Sequence, residues 1–291
     1  MGNKSFLYLL IITFVLSLLA LISHLIQPKF ETTLNKGNLI FEKLNQQLNN
    51  ISEIKIDNGL KAIVIKKGQP DGWFMENKFG YKVKKEIVKE MLIKTLQLRF
   101  FEKKTKDESL YYRLDLHYPK DEEGNSKQIS IYDEKNVVLS KFILGKSKKN
   151  GVYIRKLNEK QSWLTSGLLV MSINEIDWLE INIFNIDYEE VKNITLKHSD
   201  KSVLSISKDD KNENFIIDDL SKEELPKSDL IANFLGYFLS NLVFEDVSKR
   251  KNNYEKNIIT NTTFELFGNI FINAVVFKDD KEKWINFNVD E

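Results

Sequence analysis

The sequence predicts an α+β protein, an N-terminal transmembrane helix followed by a tandem duplication of a mainly antiparallel sheet with a packed helix. Three observations predict it. A long apolar run lies near the start, short alternating segments with turn signals between them fill most of the rest, and apolar positions of one half recur about 140 residues later. A chain of 291 residues that is 42% hydrophobic and 29% charged carries enough apolar material for one large or two medium cores.

The apolar run reads FLYLLIITFVLSLLALISHLI, from Phe6 to Ile26, and carries no formal charge with His24 neutral. As a helix it reaches about 31 Å, the thickness of a bilayer core. It is too long for the apolar core of a cleaved signal peptide, and no small-residue cleavage site follows it. A lipid anchor is not indicated, because Phe6 stands where a myristoylation signal needs Ser or Thr. Lys4 and the amino terminus keep the leading end in the cytoplasm, although Lys29 weakens that bias. The expected location is therefore the bacterial inner (cytoplasmic) membrane, single-pass, with the C-terminal part in the periplasm. Within the span Thr13, Ser17, Ala20 and His24 follow helical steps and form a face of small and polar residues suited to packing on a partner helix.

The expected organisation is a cytoplasmic end over 1–5, the anchor over 6–26, a juxtamembrane linker with a short helix over 27–50, a first repeat over 51–186 and a second over 187–291. Leu39, Ile40, Phe41, Leu44 and Leu48 space the short helix. ISEIKID and KAIVIKK in the first unit, and VKNITLK and SVLSISK in the second, alternate like strands around NG and SD turn signals. A third short strand follows in each, GWFMEN or NENFIID. The segment KEIVKEMLIKTLQLRFF then spaces Ile87, Val88, Met91, Leu92 and Leu96 on one helical face. At an offset of 143 these residues fall on Leu230, Ile231, Phe234, Leu235 and Leu239, so SDLIANFLGYFLSNLVF predicts a second core helix. Its apolar stretch, about 22 Å as a helix, is too short to span a bilayer. Upstream, Ile54 and Ile56 recur as Ile194 and Leu196 at offset 140, and Ile63, Ile65 and Phe74 recur as Leu204, Ile206 and Phe215 at offset 141. Further strands are predicted in QISIYD, NVVLSKFIL, VYIRKL and SWLTS, then in FELFG, IFINAVVF and KWINFNV.

The excluded chemistries are numerous. Forty-three Lys and Arg against 42 Asp and Glu are interspersed and leave a charge of +1, which gives no nucleic-acid field. With no cysteine there is no disulfide framework, thiolate metal site or thiol nucleophile. Gly145, Lys146 and Ser147 end like a P-loop, but Ser140 stands where its first Gly belongs. Asp210, Asn212 and Asn214 start like a calcium loop, but Phe215 and Ser221 stand at its Gly and Glu positions. His117 and His198 lack the spacing of zinc ligands. Ser205 and Lys208 have S-x-x-K spacing without companion motifs, and the chain has no G-x-S-x-G elbow. No metal, no cofactor and no catalytic residue is expected.

The stretches LGKSKKNGVYIRKLNEKQSWLTS and INEIDWLEINI, with W-F before a Val-containing helix, resemble the bacterial family known as domain of unknown function 4340. Its characteristic positions here are Gly145, Gly151, Tyr153, Ile154, Arg155, Trp163, Leu164, Trp178 and Leu179. The resemblance implies an envelope protein, sometimes associated with ABC transport systems of the gliding-motility type, and supplies no catalytic residues. From the residues themselves, Gly145 and Gly151 bracket a Lys-rich turn, and Trp163 and Trp178 pack beneath strands. The expected function is a non-enzymatic accessory or scaffold subunit of an envelope transport complex, with ABC transporter subunits as partners and sheet edges as docking sites. The alternative is a lipid-, glycan- or peptide-binding module with its groove between the two repeats, lined by the helix that carries Gly236 and Tyr237, and the third is an unrecognised envelope hydrolase or transferase.

Overall fold

The computed structural model describes residues 13, 15–18, 37–69, 72–119, 125–211, 213–218, 230–249 and 254–290. Of the expected anchor, Thr13 and residues 15–18 are described and are helical; Ala20 and His24 lie outside the described residues. Among the described residues no helix is long and apolar enough to cross a membrane. The fold is mostly antiparallel sheet with few helices, α+β and mainly β.

Helix α1 (Glu42–Gln46) opens the described body and buries Leu44. Strands β1 (Ile51–Asp57), β2 (Ala62–Gly68), β3 (Gly72–Met75) and β4 (Tyr81–Val83) precede helix α2 (Lys85–Gln97). After it come β5 (Arg99–Lys103), β6 (Lys127–Asp133), β7 (Val138–Lys148), β8 (Gly151–Lys156) and β9 (Ser162–Ser166). These form one nine-stranded sheet in the order β4-β3-β2-β1-β6-β7-β8-β9-β5. The second part contains β10 (Asn182–Phe184), β11 (Val191–His198), β12 (Val203–Ser207), β13 (Ile216–Ile217), helix α3 (Asn233–Gly236), β14 (Leu242–Val243), β15 (Ile258–Leu266), β16 (Phe271–Asp279) and β17 (Glu282–Asp290). Its sheet runs β13-β12-β11-β15-β16-β17, and β10 pairs with β14 in a separate ribbon.

The stretch β2-β1-β6-β7-β8 of the first sheet and β12-β11-β15-β16-β17 of the second share order and register. Ile54 lies opposite Ile65 and Ile56 opposite Ile63; Ile194 lies opposite Ile206 and Leu196 opposite Leu204. Both pairings with the next strand break at the same place, between Ile51 and Glu53 in β1 and between Val191 and Asn193 in β11. Alternation puts Ile54, Ile56, Ile63 and Ile65 on one face, where α2 covers them with Val88, Met91, Leu92 and Leu96. Burying each such side chain is worth about 1.5–3 kcal/mol. On the opposite face Ile143, Tyr153 and Leu164 meet Tyr111 and Leu116 in a smaller core, under the 3-10 segment Glu108–Leu114.

Three expectations need correction. In place of a core helix over the described part of Ser228–Phe244, there is one turn of α-helix, a 3-10 turn at Tyr237–Leu239, and β14. Asn233, Gly236 and Ser240 are poor helix formers compared with the Lys, Glu and Leu of α2. The fold also clamps them: Asn233 Oδ1 accepts the Phe215 N–H at 2.9 Å, and Ser240 Oγ donates to the Ile186 carbonyl at 2.8 Å. A Cβ on Gly236 would lie 2.6 Å from the Phe215 ring and 2.7 Å from that of Tyr188, so only glycine lets the turn sit this close. Phe100, Phe101 and Glu102 belong to β5 instead of continuing α2. The pairing partner of Ile65 is Met75 while that of Ile206 is Ile217, so the third strands correspond one residue away from the Phe74–Phe215 match.

Candidate functional site

Two regions stand out, the edges of the sheets and a cavity on the far face of the first sheet. Chain segments close both edges of the first sheet. At β4, Lys84 N–H donates to the Trp178 carbonyl at 2.8 Å and Glu180 N–H to that of Lys82 at 3.0 Å. At β5, Gly37 N–H donates to the Phe100 carbonyl at 2.8 Å and Phe100 N–H to that of Asn38 at 3.0 Å. In the second sheet β13 is only two residues long, whereas β17 runs for nine residues with β16 on one side and no strand on the other among the described residues.

Following the registers outward, Ile154 of β8, opposite Leu144, corresponds to Ile285 of β17, opposite Val276. Ile154 is 1% exposed because β9 and Trp163 lie beyond it. Ile285 is 37% exposed and Val289, on the same face, 51%. Phe287 between them packs edge-on to Phe184 with ring centres 5.2 Å apart. Among the described residues β17 therefore has an outer edge without a strand partner and an incompletely covered apolar row, at the place where the first sheet adds β9.

The cavity, about 800 Å³, is lined by Tyr111, Tyr112, His117, Tyr118, Arg155 and Lys160, with Glu108, Asp115 and Glu159 among its carboxylates. Gly145, inside β7 and not at its turn, makes room for it: a Cβ there would overlap the Leu114 carbonyl, so glycine admits the 3-10 segment that carries Tyr111. Arg155, 4% exposed, lies against two rings, its guanidinium carbon 4.5 Å from the centre of Tyr111 and 5.3 Å from that of Tyr118. Its Nε and Nη2 both donate to the Leu116 carbonyl at 3.2 Å. No carboxylate among the described residues is within ion-pair distance of it. Burial pushes the Tyr111 phenol up, against the opposing pull of the Arg155 cation.

The other sequence-selected residues lie apart from this cavity. Tyr153 is buried in the small core beside it. Gly151 starts β8, where β9 passes closely. Trp163 packs edge-on to Phe100 at 4.5 Å, and Trp178 donates from Nε1 to the Ser172 carbonyl at 3.2 Å; both belong to the first core. Gly236 packs on Tyr188 and Phe215, and Tyr237, 55% exposed, stacks on Tyr188 at 4.7 Å. Thr13 and Ser17 lie in the described helical residues near the start, far in sequence from both regions. The sequence reading missed Tyr111, Tyr118 and Leu116, whose only signal was a tyrosine-rich loop without periodicity. Beneath Tyr188, Lys208 is a buried cation 3.9 Å from the ring centre that donates to the Tyr188 and Lys211 carbonyls at 3.0 and 2.9 Å. Burial pushes its ammonium below the ordinary value. No group of three or more His, Asp or Glu side chains among the described residues could hold a metal ion.

One protein-family model, a domain of unknown function (DUF4340), matches residues 73–257, more than half of the chain. That span contains the whole Arg155 cavity and stops before β15, so β17 lies outside it. No curated protein and no solved structure matches the chain.

Proposed function

From the premise that the chain belongs to the DUF4340 family, we propose that it is a non-catalytic binding protein that captures an extended segment of another protein as an added strand on β17. The observation that carries this reading is the mismatch between corresponding strands: β8 pairs with β9, and β17 has no second strand partner among the described residues. The added strand would take the place β9 has in the first sheet. Because Trp163 lies opposite Ile154, a large apolar residue is expected opposite Ile285. Main-chain hydrogen bonds supply affinity in such a mode, and alternate side chains supply selectivity.

The shared strand order, register and break point support a duplicated unit, in which the second copy exposes the edge that the first closes. The apolar run over 6–26 supports a single-pass anchor in the bacterial inner membrane with the sheets outside the cytoplasm. The resemblance noted from the sequence is the support for ABC transporter subunits as the partner.

Cross-linking in the native membrane followed by gentle solubilisation and mass spectrometry tests the proposal. A partner should be recovered in stoichiometric amount with the wild-type chain. Adjacent β17 residues point their N–H groups alternately towards β16 and outwards. Of Ile285→Pro and Asn286→Pro, one therefore removes a ladder bond and the other only the outward donor. The variant that keeps the wild-type melting temperature should lose the partner. Recovery of the protein alone, or a partner retained by both variants, would refute the reading.

A further inference from the structure

The guanidinium of Arg155 is only half used. The side-on edge, Nε with Nη2, holds the Leu116 carbonyl. The end-on edge, Nη1 with the second Nη2 hydrogen, has no acceptor among the described residues, and that fork matches the two oxygens of a carboxylate. The group is more than nine-tenths buried and lines the cavity, so leaving its charge uncompensated is costly, and ring stacking offsets only part of that cost.

The remaining charges of the cavity narrow the choice. Lys160 sits 3.4 Å from Glu108, and Glu159 sits 3.5 Å from Lys156, so those groups already have partners. With Asp115 added, the described lining residues carry three carboxylates against two cations. That balance disfavours a dianion such as a phosphate monoester and tolerates a single negative charge placed directly on Arg155. Tyr111, Tyr112 and Tyr118 offer ring faces to an organic body attached to it. We propose that this cavity is a binding site for an organic monocarboxylate, held end-on by Arg155 with its apolar body against the tyrosines. The site lies on the first sheet and is independent of the β17 reading.

Benzoate is the probe, with benzamide as its uncharged counterpart and inorganic phosphate as the competing anion, each titrated against the full chain by ligand-observed NMR. Benzoate should bind saturably, and benzamide at least about tenfold more weakly, as expected for loss of a charge-assisted pair. Arg155→Met should abolish the difference between the two. Arg155→Lys, which keeps the charge without the fork, should restore part of it. Because Arg155 is buried, Tyr118→Ala provides a second variant: Tyr118 is 52% exposed, its loss should leave the melting temperature unchanged, and it should weaken benzoate severalfold. Absence of saturable benzoate binding, equal binding of benzamide, or phosphate binding as tightly as benzoate would overturn the assignment.

Discussion

β8 and β17 occupy the same place in the five-strand stretch that the two sheets share, yet β8 is buried on both faces and β17 is an edge among the described residues. Residues 151–155 of β8 are all buried, with Val152 and Ile154 in the main core and Tyr153 in the small core beyond. No residue of β17 is fully buried. The difference comes from the neighbours, because the alternation of the strands themselves is similar. β9, β5 and the segment Glu108–Leu114 cover β8, whereas among the described residues no strand pairs with the outer edge of β17 and its one aromatic partner from the neighbouring ribbon is Phe184 on Phe287. A framework used twice thus gives a solvent-open cavity on one sheet and, among the described residues, an edge strand in the other.

The sharpest way to break the comparison is to place a charge at the two corresponding positions. Ile154→Lys puts an unpaired ammonium in the core and should cost about 3–5 kcal/mol or prevent folding. Ile285→Lys should change stability by no more than about 1 kcal/mol in urea denaturation. Equal costs would mean that β17 is covered as β8 is. A smaller effect is expected nearer the hairpins. Ile56, fully buried, should lose about 2–5 kcal/mol as Ile56→Ala, and its half-buried counterpart about 1 kcal/mol as Leu196→Ala. The ratio of the two losses would measure how much less of the second sheet is covered.

The smallest expected effect concerns Lys208, which is buried where its counterpart at offset 141, Lys67, is exposed. Burial lowers its folded-state pKa below the ordinary 10.5. Between those two values the unfolded chain binds more protons than the folded one, so the stability contribution of Lys208 rises with pH across that window and is flat below it. In thermal melts at a series of alkaline pH values, the wild type should gain relative to Lys208→Met over that range. A constant difference would show that the ammonium is not held away from water.

Much of the sheet framework is legible in the sequence. ISEIKID and SWLTS are β1 and β9 to the residue, because period-2 alternation and turn signals are local properties of the chain. The Asn58-Gly59 turn is held locally, with Gly59 at φ +90° and its N–H on the Asp57 carboxylate at 2.9 Å. The Asp200 turn works the same way, its carboxylate accepting the Ser202 N–H at 2.8 Å. Recurrence of apolar positions at 140 and 141 identified strands that share a pairing register, since register follows from which face must be buried. The same method failed for Leu230–Phe244. An apolar spacing compatible with a helix fixes neither its length nor the buried face when a glycine must pass against Tyr188 and Phe215.

By itself the sequence determined the leading hairpin of each unit, the turns of both hairpins and the amphipathic helix over the first sheet, because each depends on residues close together in the chain. Tertiary structure alone decided which strand became an edge and which arginine was left half-paired. Arg155, Tyr111, Tyr118 and Leu116 come from separate segments, and no spacing in the chain encodes that β7 carries a glycine where the 3-10 segment crosses it. Edges and cavities are defined by what packs against a strand from elsewhere, and that information is non-local.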